Sequence, residues 1–451
     1  MGVIPWKKAL VIGLGASGRA AARLLLHHGC AVRGYDRSSS VSNFPVGVEF
    51  FLGEDQVPAA AFEGIDLLVL SPGLDPGEIL RQKAERCPRA DVHGELSLGL
   101  WVLRRAWPAA ETVLITGTNG KSTVTSMLGH LLAAQGEEVF VGGNLGPALC
   151  DRVVAVHLGK APTPRFFVLE CSSYQLETLS QHPTRVAMVL NISLDHIDRY
   201  PSMRAYADTK GRVFRGLEPG GLALLDSDDS WTHHLRTAVP RGKLVLVDGE
   251  VPPRFEAASG RLVLNDEESV ARGVLRLAGR HNAKNALFAL AAARHLELSW
   301  SECCRQLATF EGLPHRMSHV ATVDDIAYYN DSKATNVASV LASLGGFERQ
   351  FVLIAGGRAK GEDLSPLHAL LDQRGRGLVV LGESANLLLE MAAGVVPTRM
   401  AVSMDQAVAM AREIARPGDA VVLSPACASW DMYANFGERG RAFVAAVNAV
   451  R

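Results

Sequence analysis

The chain has 451 residues, 48% hydrophobic and 21% charged, which suits about three globular units of roughly 150 residues with full cores. A formal net charge of −1 excludes a protein that grips nucleic acid through bulk charge. Seven cysteines without a CxxC pair read as reduced thiols, and no apolar run reaches membrane length. The opening MGVIPWKK has no apolar stretch ending at a small-residue cleavage site, and Trp6 stands where a myristoylation signal needs Ser or Thr. A cytoplasmic protein is expected, without membrane or nucleic-acid partners.

Short apolar runs alternate with helical patterns from end to end, which predicts α/β architecture with parallel sheets. The first unit opens on KALVIGLGASG, a strand entering a glycine turn, followed by the helix RAAARLLLHHG and the strands AVRGYD and IDLLVLSPG. Around WVLRRAWPAAE the chain passes to a second unit, with Pro108 as the joint. Its strand candidates are TVLITG, EVFVGGN, RFFVLECSS and RVAMVLNIS; hairpins and loops are expected from Asp226 to Asp266, and the helix NAKNALFALAAARHL closes it. Gly312 and Pro314 mark a second joint, after which AYYND, RQFVLIAGG, GLVVLG and DAVVLSPA alternate with helices. The expected units are 1–108, 109–313 and 314–451.

Gly13, Gly15 and Gly18 satisfy G-x-G-x-x-G directly after a strand, and Asp36 ends the next one. Free N–H groups at the following helix favour a ligand phosphate. Alone, the motif suggests NAD with Asp36 on a ribose, or glycines that merely let a helix pack tightly on its strand. A second loop, Gly117 to Thr123, reads GTNGKST between a strand and a helix. Its backbone can wrap phosphates, Lys121 can reach the terminal one, and Ser122 or Thr123 can ligate Mg²⁺. Ile115 replaces the first glycine of the strict pattern. A dehydrogenase has no use for an ATP loop, nor a simple ATPase for the first turn. Both together point to an enzyme that anchors one nucleotide-bearing substrate and consumes ATP to activate it.

Beyond the ATP loop stand Glu170, His196 and Lys210. A carboxylate and an imidazole at strand ends above a phosphate loop suit a second Mg²⁺. The alternative is a solvated turn of Asp195, Asp198 and Arg199, with Lys210 an ordinary exposed helix lysine.

GTNGKST, ECSSYQLE, NISLDHIDRYPS, RHNAKNAL, LPHRM and NDSKATN occur in this order, and in this the chain resembles the Mur ligase family of peptidoglycan synthesis along its whole length. NDSKATN and LSPACASWDMYANFGERG resemble the branch that adds D-glutamate to UDP-N-acetylmuramoyl-L-alanine. The resemblance implies three domains: a Rossmann-like N-terminal one for the uridine substrate, a central P-loop-type one for ATP, and a Rossmann-like C-terminal one for the amino acid.

It also implies roles at matching positions. Gly15, Ser17, Asp36, Arg37, Ser71 and Gly73 would line the uridine diphosphate site, and Asn144 would touch the muramyl substrate. Gly117, Thr118, Asn119, Gly120, Lys121, Ser122 and Thr123, with Asn285, Arg316 and Asp331, would hold ATP. Ser122, Glu170 and His196 would serve Mg²⁺, and Lys210 would do so as a carbamate. Lys333, Thr335, Lys360, Ser429 and Phe436 would shape the D-glutamate site. A monomer is expected. Cys171 follows Glu170 where a leucine-like residue is usual, and Arg358 and Ala359 precede Lys360, so the resemblance carries no acidic ATP contact onto that loop. A regulator that kept the fold without catalysis, or a relative adding another amino acid, remain the alternatives.

Overall fold

In the computed structural model, which describes residues 4–41, 43–180, 182–195, 199–240, 242–277, 279–345, 347, 349–359 and 361–450, the first apolar run becomes β1 (Lys8–Ile12). It is followed by α1 (Ala16–His27), β2 (Ala31–Asp36), β3 (Val48–Leu52), β4 (Leu67–Leu70), α2 (Pro76–Arg86), β5 (Asp91–Gly94) and α3 (Glu95–Ala106). The strands pair in parallel in the order β3-β2-β1-β4-β5. The order reverses at β1, so the glycine turn after it opens into the crevice at the carboxyl edge, where ligands bind in such sheets.

The second sheet repeats this logic. It uses β6 (Glu111–Thr116), α4 (Lys121–Ala133), β7 (Val139–Gly143), α5 (Leu149–His157), β8 (Phe166–Glu170), α6 (Ser173–Glu177), β9 (Thr184–Val189), α7 (Met203–Gly211), β10 (Leu217–Asp226), α8 (Thr232–Arg236) and β11 (Lys243–Val247). The order β11-β10-β9-β6-β8-β7 puts β6 and its loop at the reversal. Both faces of β8 are buried, as a parallel strand covered by helices requires.

Two features depart from expectation. The stretch read as hairpins and loops contains β11, the sixth strand of this sheet, paired in parallel on the edge beyond β10. Only afterwards do β12 (Arg254–Glu256), β13 (Arg261–Val263) and β14 (Ser269–Ala271) form antiparallel pairs. β10 itself escaped the sequence pattern because Pro219, Gly220 and Gly221 interrupt it, and its register shifts between Leu217 and Leu222.

These two sheets share one hydrophobic core, in which Val11, Leu24 and Leu98 join Leu149, Val153 and Phe167. A Cβ on Gly99 of α3 would come within 2.7 Å of Leu149 Cγ on α5, so the helices meet closely there. Arg23 of α1 adds a two-pronged hydrogen bond to Asp151 of α5, at 2.8 and 2.9 Å. With α9 (Arg280–His295) and α10 (Trp300–Leu307) introduced, the larger compact unit comprises Met1–Leu275 with Lys284–Phe310.

The smaller unit comprises Arg276–Ala283 with Glu311–Arg451. Its elements are β15 (Ser318–Val323), β16 (Ile326–Asn330), α11 (Val337–Leu344), β17 (Phe351–Gly356), α12 (Ser365–Arg374), β18 (Gly375–Leu381), α13 (Ala385–Met391), β19 (Thr398–Met400), α14 (Met404–Ile414), β20 (Ala420–Leu423) and α15 (Phe436–Ala449). The sheet runs β15-β16-β20-β17-β18-β19, and only β15 is antiparallel. Separate apolar clusters cover its two faces. Asn336, Ser403 and Asn435 cap α11, α14 and α15 by accepting from Ser339, Gln406 and Glu438 N–H groups, which fixes where each loop stops. No helix among the described residues is long and apolar enough to cross a membrane.

Candidate active site

The turn after β1 is closed by a serine hydroxyl and a carboxylate. Gly13 has φ +85° and a Cβ there would lie 2.7 Å from Ser71 Cβ, while a Cβ on Gly18 would lie 2.0 Å from Gly13 O. Ser71 Oγ donates to Gly13 O at 2.6 Å. Asp36, placed by its sequence position for a ribose, accepts from Leu14 N through Oδ2 (2.7 Å) and from Ser38 N through Oδ1 (2.9 Å). One oxygen thereby braces the turn, and the other its own loop after β2. Ser17 is partly buried, Arg37 and Gly73 are exposed, and nothing lies within 4 Å of a Cβ on Gly15. The last observation leaves Gly15 open to close approach by a ligand.

The second loop is built differently. Gly117 (φ +148°) and Gly120 (φ +82°) take backbone conformations that side chains disfavour. A Cβ on Gly117 would crowd Leu190 and Asn191, and one on Gly120 would reach Asn285 Oδ1 at 2.6 Å. Asn191 clasps the loop from β9: its backbone O accepts from Thr118 N (2.9 Å), its Oδ1 from Asn119 N (2.8 Å), and its Nδ2 donates to Asn119 O (3.1 Å). Ser122 and Thr123 are buried at the start of α4. Lys121 Nζ donates to Gly117 O (2.9 Å) and Thr118 O (2.8 Å).

Lys210 arrives at the same carbonyl from α7. Its Nζ donates to Gly117 O at 2.8 Å and lies 4.7 Å from the centre of the Tyr206 ring. The residue is 1% exposed, so the reading as an exposed helix lysine is corrected: α7 turns this face into the core. Burial first, and then the neighbouring Lys121 charge, hold its pKa well below the ordinary lysine value. Glu170, 2% exposed at the end of β8, accepts from Asn144 Nδ2 through Oε1 at 2.6 Å. Its Oε2 is buried with no hydrogen-bond partner among the described residues. Such an oxygen is costly to leave unsatisfied, and a cation would satisfy it. The donor set therefore fits Mg²⁺. His196 lies outside the described residues.

Cys171 points into the core, where burial pushes its thiol up to about 12; its substitution for a leucine-like residue leaves Glu170 in place. The possibility of a solvated turn also fails for Arg199. Its guanidinium pairs with Glu177 (2.7 Å) and donates to Leu74 O (2.5 Å), next to the Ser71–Gly73 segment. Asn191, Arg199 and Tyr206 all lie within or beside the quoted motifs, but nothing in the residue types alone announced their partners.

In the smaller unit, Asp331 is buried and accepts from Ser424 Oγ (2.7 Å) and Met317 N (3.2 Å). Burial outweighs the Ser424 hydroxyl and the Arg316 charge and lifts it to about 6. Lys333 Nζ sits 3.8 Å from the centre of the Phe436 ring, a cation–π contact. Ser429 is buried, and Thr335 is partly buried directly before Asn336, the cap of α11. Arg358 pairs with exposed Glu383. Lys360 lies outside the described residues. Sequence reasoning missed Arg439, which is 2% exposed in the first turn of α15.

Doubly wound sheets, with a phosphate loop at a reversal point and two amines on one loop carbonyl, define an α/β nucleotide-dependent enzyme. Residues 115–293 match the Mur ligase middle domain and residues 315–427 the Mur ligase, glutamate ligase domain. The chain is 39% identical over 463 residues to the UDP-N-acetylmuramoylalanine–D-glutamate ligase of Thiobacillus denitrificans, spanning 98% of this chain and 96% of that one. It is 40% identical to the ligase of the same name from Methylococcus capsulatus, spanning 98% and 95%. Among solved structures, the UDP-N-acetylmuramate-alanine ligase of Thermotoga maritima superposes with a TM-score of 0.57 at 18% identity, over 99% of this chain and 100% of that one. The chain belongs to the Mur ligase family.

Proposed function

We propose that this chain is the ATP-dependent ligase that adds D-glutamate to UDP-N-acetylmuramoyl-L-alanine in the cytoplasm, as its full-length relatives are named. The observation that carries the reading is the meeting of Lys121 and Lys210 on Gly117 O, beside a Glu170 carboxylate whose Oε1 is held by Asn144 while its Oε2 has no partner among the described residues. An activating phosphoryl transfer needs such a concentration of charge around the transferred group.

In this reading residues 1–108 hold the uridine diphosphate, 109–313 the ATP and 314–451 the amino acid, and the chain works as a monomer. The L-alanyl carboxylate attacks the γ-phosphorus, giving an acyl phosphate and ADP. The amine of D-glutamate then attacks that carbonyl, and phosphate leaves from a tetrahedral intermediate. Lys121 follows the transferred phosphoryl group. Ser122, Glu170, His196 and Lys210 as a carbamate would hold Mg²⁺, which when bound neutralises phosphate charge. A neutral Lys210 amine can add CO₂ and release a proton, and the resulting carbamate would set an anion beside the Lys121 cation. Asn285, Arg316 and Asp331 are assigned to ATP; Lys333, Thr335, Lys360, Ser429 and Phe436 to the two carboxylates and amine of D-glutamate.

The test is phosphate release from ATP with UDP-N-acetylmuramoyl-L-alanine and a panel of D-glutamate, L-glutamate, L-alanine and a diamino acid. D-glutamate should be accepted and L-glutamate essentially refused, because the wrong enantiomer leaves a buried partner unpaired. Comparable rates for the two glutamates, or no release with any amino acid, would overturn the assignment.

A further inference from the structure

At the carboxyl edge of the smaller unit's sheet, one guanidinium joins three loops. Arg439 Nη1 donates to Gly356 O (3.2 Å), at the end of β17, and to Cys427 O (3.0 Å), after β20. Its Nη2 donates to Ser332 O (3.0 Å) and its Nε to Ser332 Oγ (3.1 Å), both after β16. Ser332 Oγ passes the constraint on by donating to Phe436 O at 2.8 Å. All three guanidinium nitrogens are thus spent on protein oxygens, none of them a carboxylate. Burial lowers Arg439 to about 10, so it remains charged at neutral pH.

The loops it joins are pressed together. A Cβ on Gly357 would lie 2.1 Å from Ala428 O and 3.1 Å from Arg439 Nη1. Arg358 and Ala428 exchange backbone hydrogen bonds at 2.9 and 3.0 Å. On the other side, Asn330 Nδ2 donates to Gly440 O (2.9 Å) while its Oδ1 accepts from Ser332 N (3.1 Å). A buried cation facing neutral carbonyls is a poor choice for stability alone. What the fork geometry of arginine offers, and lysine does not, is several donors fixed in one plane.

We propose that Arg439 is a positioning residue for the amino-acid site, fastening the loops that bear Lys333, Thr335, Ser429 and Phe436 in one arrangement. The assignment of those residues to the incoming amino acid rests on the function proposed above. A substrate with two carboxylates and an amine binds well only if its partners, drawn from separate loops, keep their spacing. Arg439 sets that spacing without touching the substrate.

The test varies each substrate in turn for Arg439→Lys and for the milder Ser332→Ala, with thermal unfolding measured alongside. In Arg439→Lys, the KM for the amino acid should rise about tenfold to a hundredfold, as misplaced binding groups do. The KM values for ATP and the uridine substrate should stay within about twofold, since uniform losses would signal a general defect. Ser332→Ala should raise the amino-acid KM severalfold with the same split, and decides the matter should Arg439→Lys not fold. A folded variant with an unchanged amino-acid KM, or one in which all three KM values rise together, overturns the proposal. Should the wild type prefer an amino acid other than D-glutamate, the functional reading fails, and the same split measured with the preferred amino acid still decides the role of Arg439.

Discussion

Two glycine turns in the larger unit share one grammar and end in opposite states. Each follows the strand at which its sheet's order reverses, and each opens a helix. The first is closed by a serine hydroxyl on Gly13 O and by the Asp36 carboxylate on Leu14 N. The second is clasped by Asn191, and two lysine amines converge on its Gly117 carbonyl. A turn braced by its own polar groups can cradle a diphosphate that is carried through unchanged. A loop that gathers two lysine amines against an incompletely satisfied carboxylate suits a phosphate that is transferred.

The comparison breaks most visibly at Lys121. Lys121→Ala should stay folded, because the partly buried side chain caps its own loop by donating to Gly117 O and Thr118 O, and Asn191 still clasps that loop without it. Ligase turnover should fall by on the order of 10²–10³ or more, the usual cost of removing a preorganised charge. Phosphate release near the wild-type rate would show that the second loop does not act on the transferred group.

Lys210 tests whether the second amine at Gly117 O is converted to a carbamate. Lys210→Ala should lose activity by on the order of 10², and formate or acetate should restore part of it by occupying the vacated space as an anion. Lys210→Arg should not recover, since its charge is permanent and its bulk fills the space. An active Lys210→Arg enzyme would mean that the carbamate assignment is wrong.

The smallest effects should separate the glycines of the first turn, measured by chemical denaturation. Gly18→Ala places a methyl 2.0 Å from Gly13 O, and such overpacking costs about 1–3 kcal/mol. Gly15→Ala meets nothing within 4 Å at φ −67°, so stability should change by less than about 0.5 kcal/mol. Its KM for the uridine substrate should nevertheless rise, because the added methyl stands where the backbone would approach the diphosphate. Equal stability of the two variants would show that the turn can relax in a way its packing does not suggest.

Much of the architecture was legible because it is written in local patterns. Buried parallel strands read as apolar runs, and glycines at forced backbone conformations stand at the carboxyl ends of β1 and β6 whatever surrounds them. Lys121 was assignable for the same reason, since its place at the helix start follows from the loop. β10 was not, because Pro219, Gly220 and Gly221 break the apolar run and only pairing with β9 and β11 restores it.

The remaining decisions belong to tertiary structure, since burial and charge environment depend on groups far away in the chain. Lys210 reads as a surface lysine until α7 turns it towards Gly117, 93 positions earlier. Asp36 ends β2 in the sequence pattern, and only the fold sets one of its oxygens against Leu14 N of the turn after β1. Arg439 carries no motif at all, and its role rests on carbonyls contributed by Ser332, Gly356 and Cys427, which only the sheet brings within reach of one guanidinium. Sequence determined which strands, turns and phosphate loop could form, because those depend on neighbours along the chain. Only the fold decided which charges would be neutralised by protein groups and which left for a ligand, because that balance is struck between residues the chain itself keeps far apart.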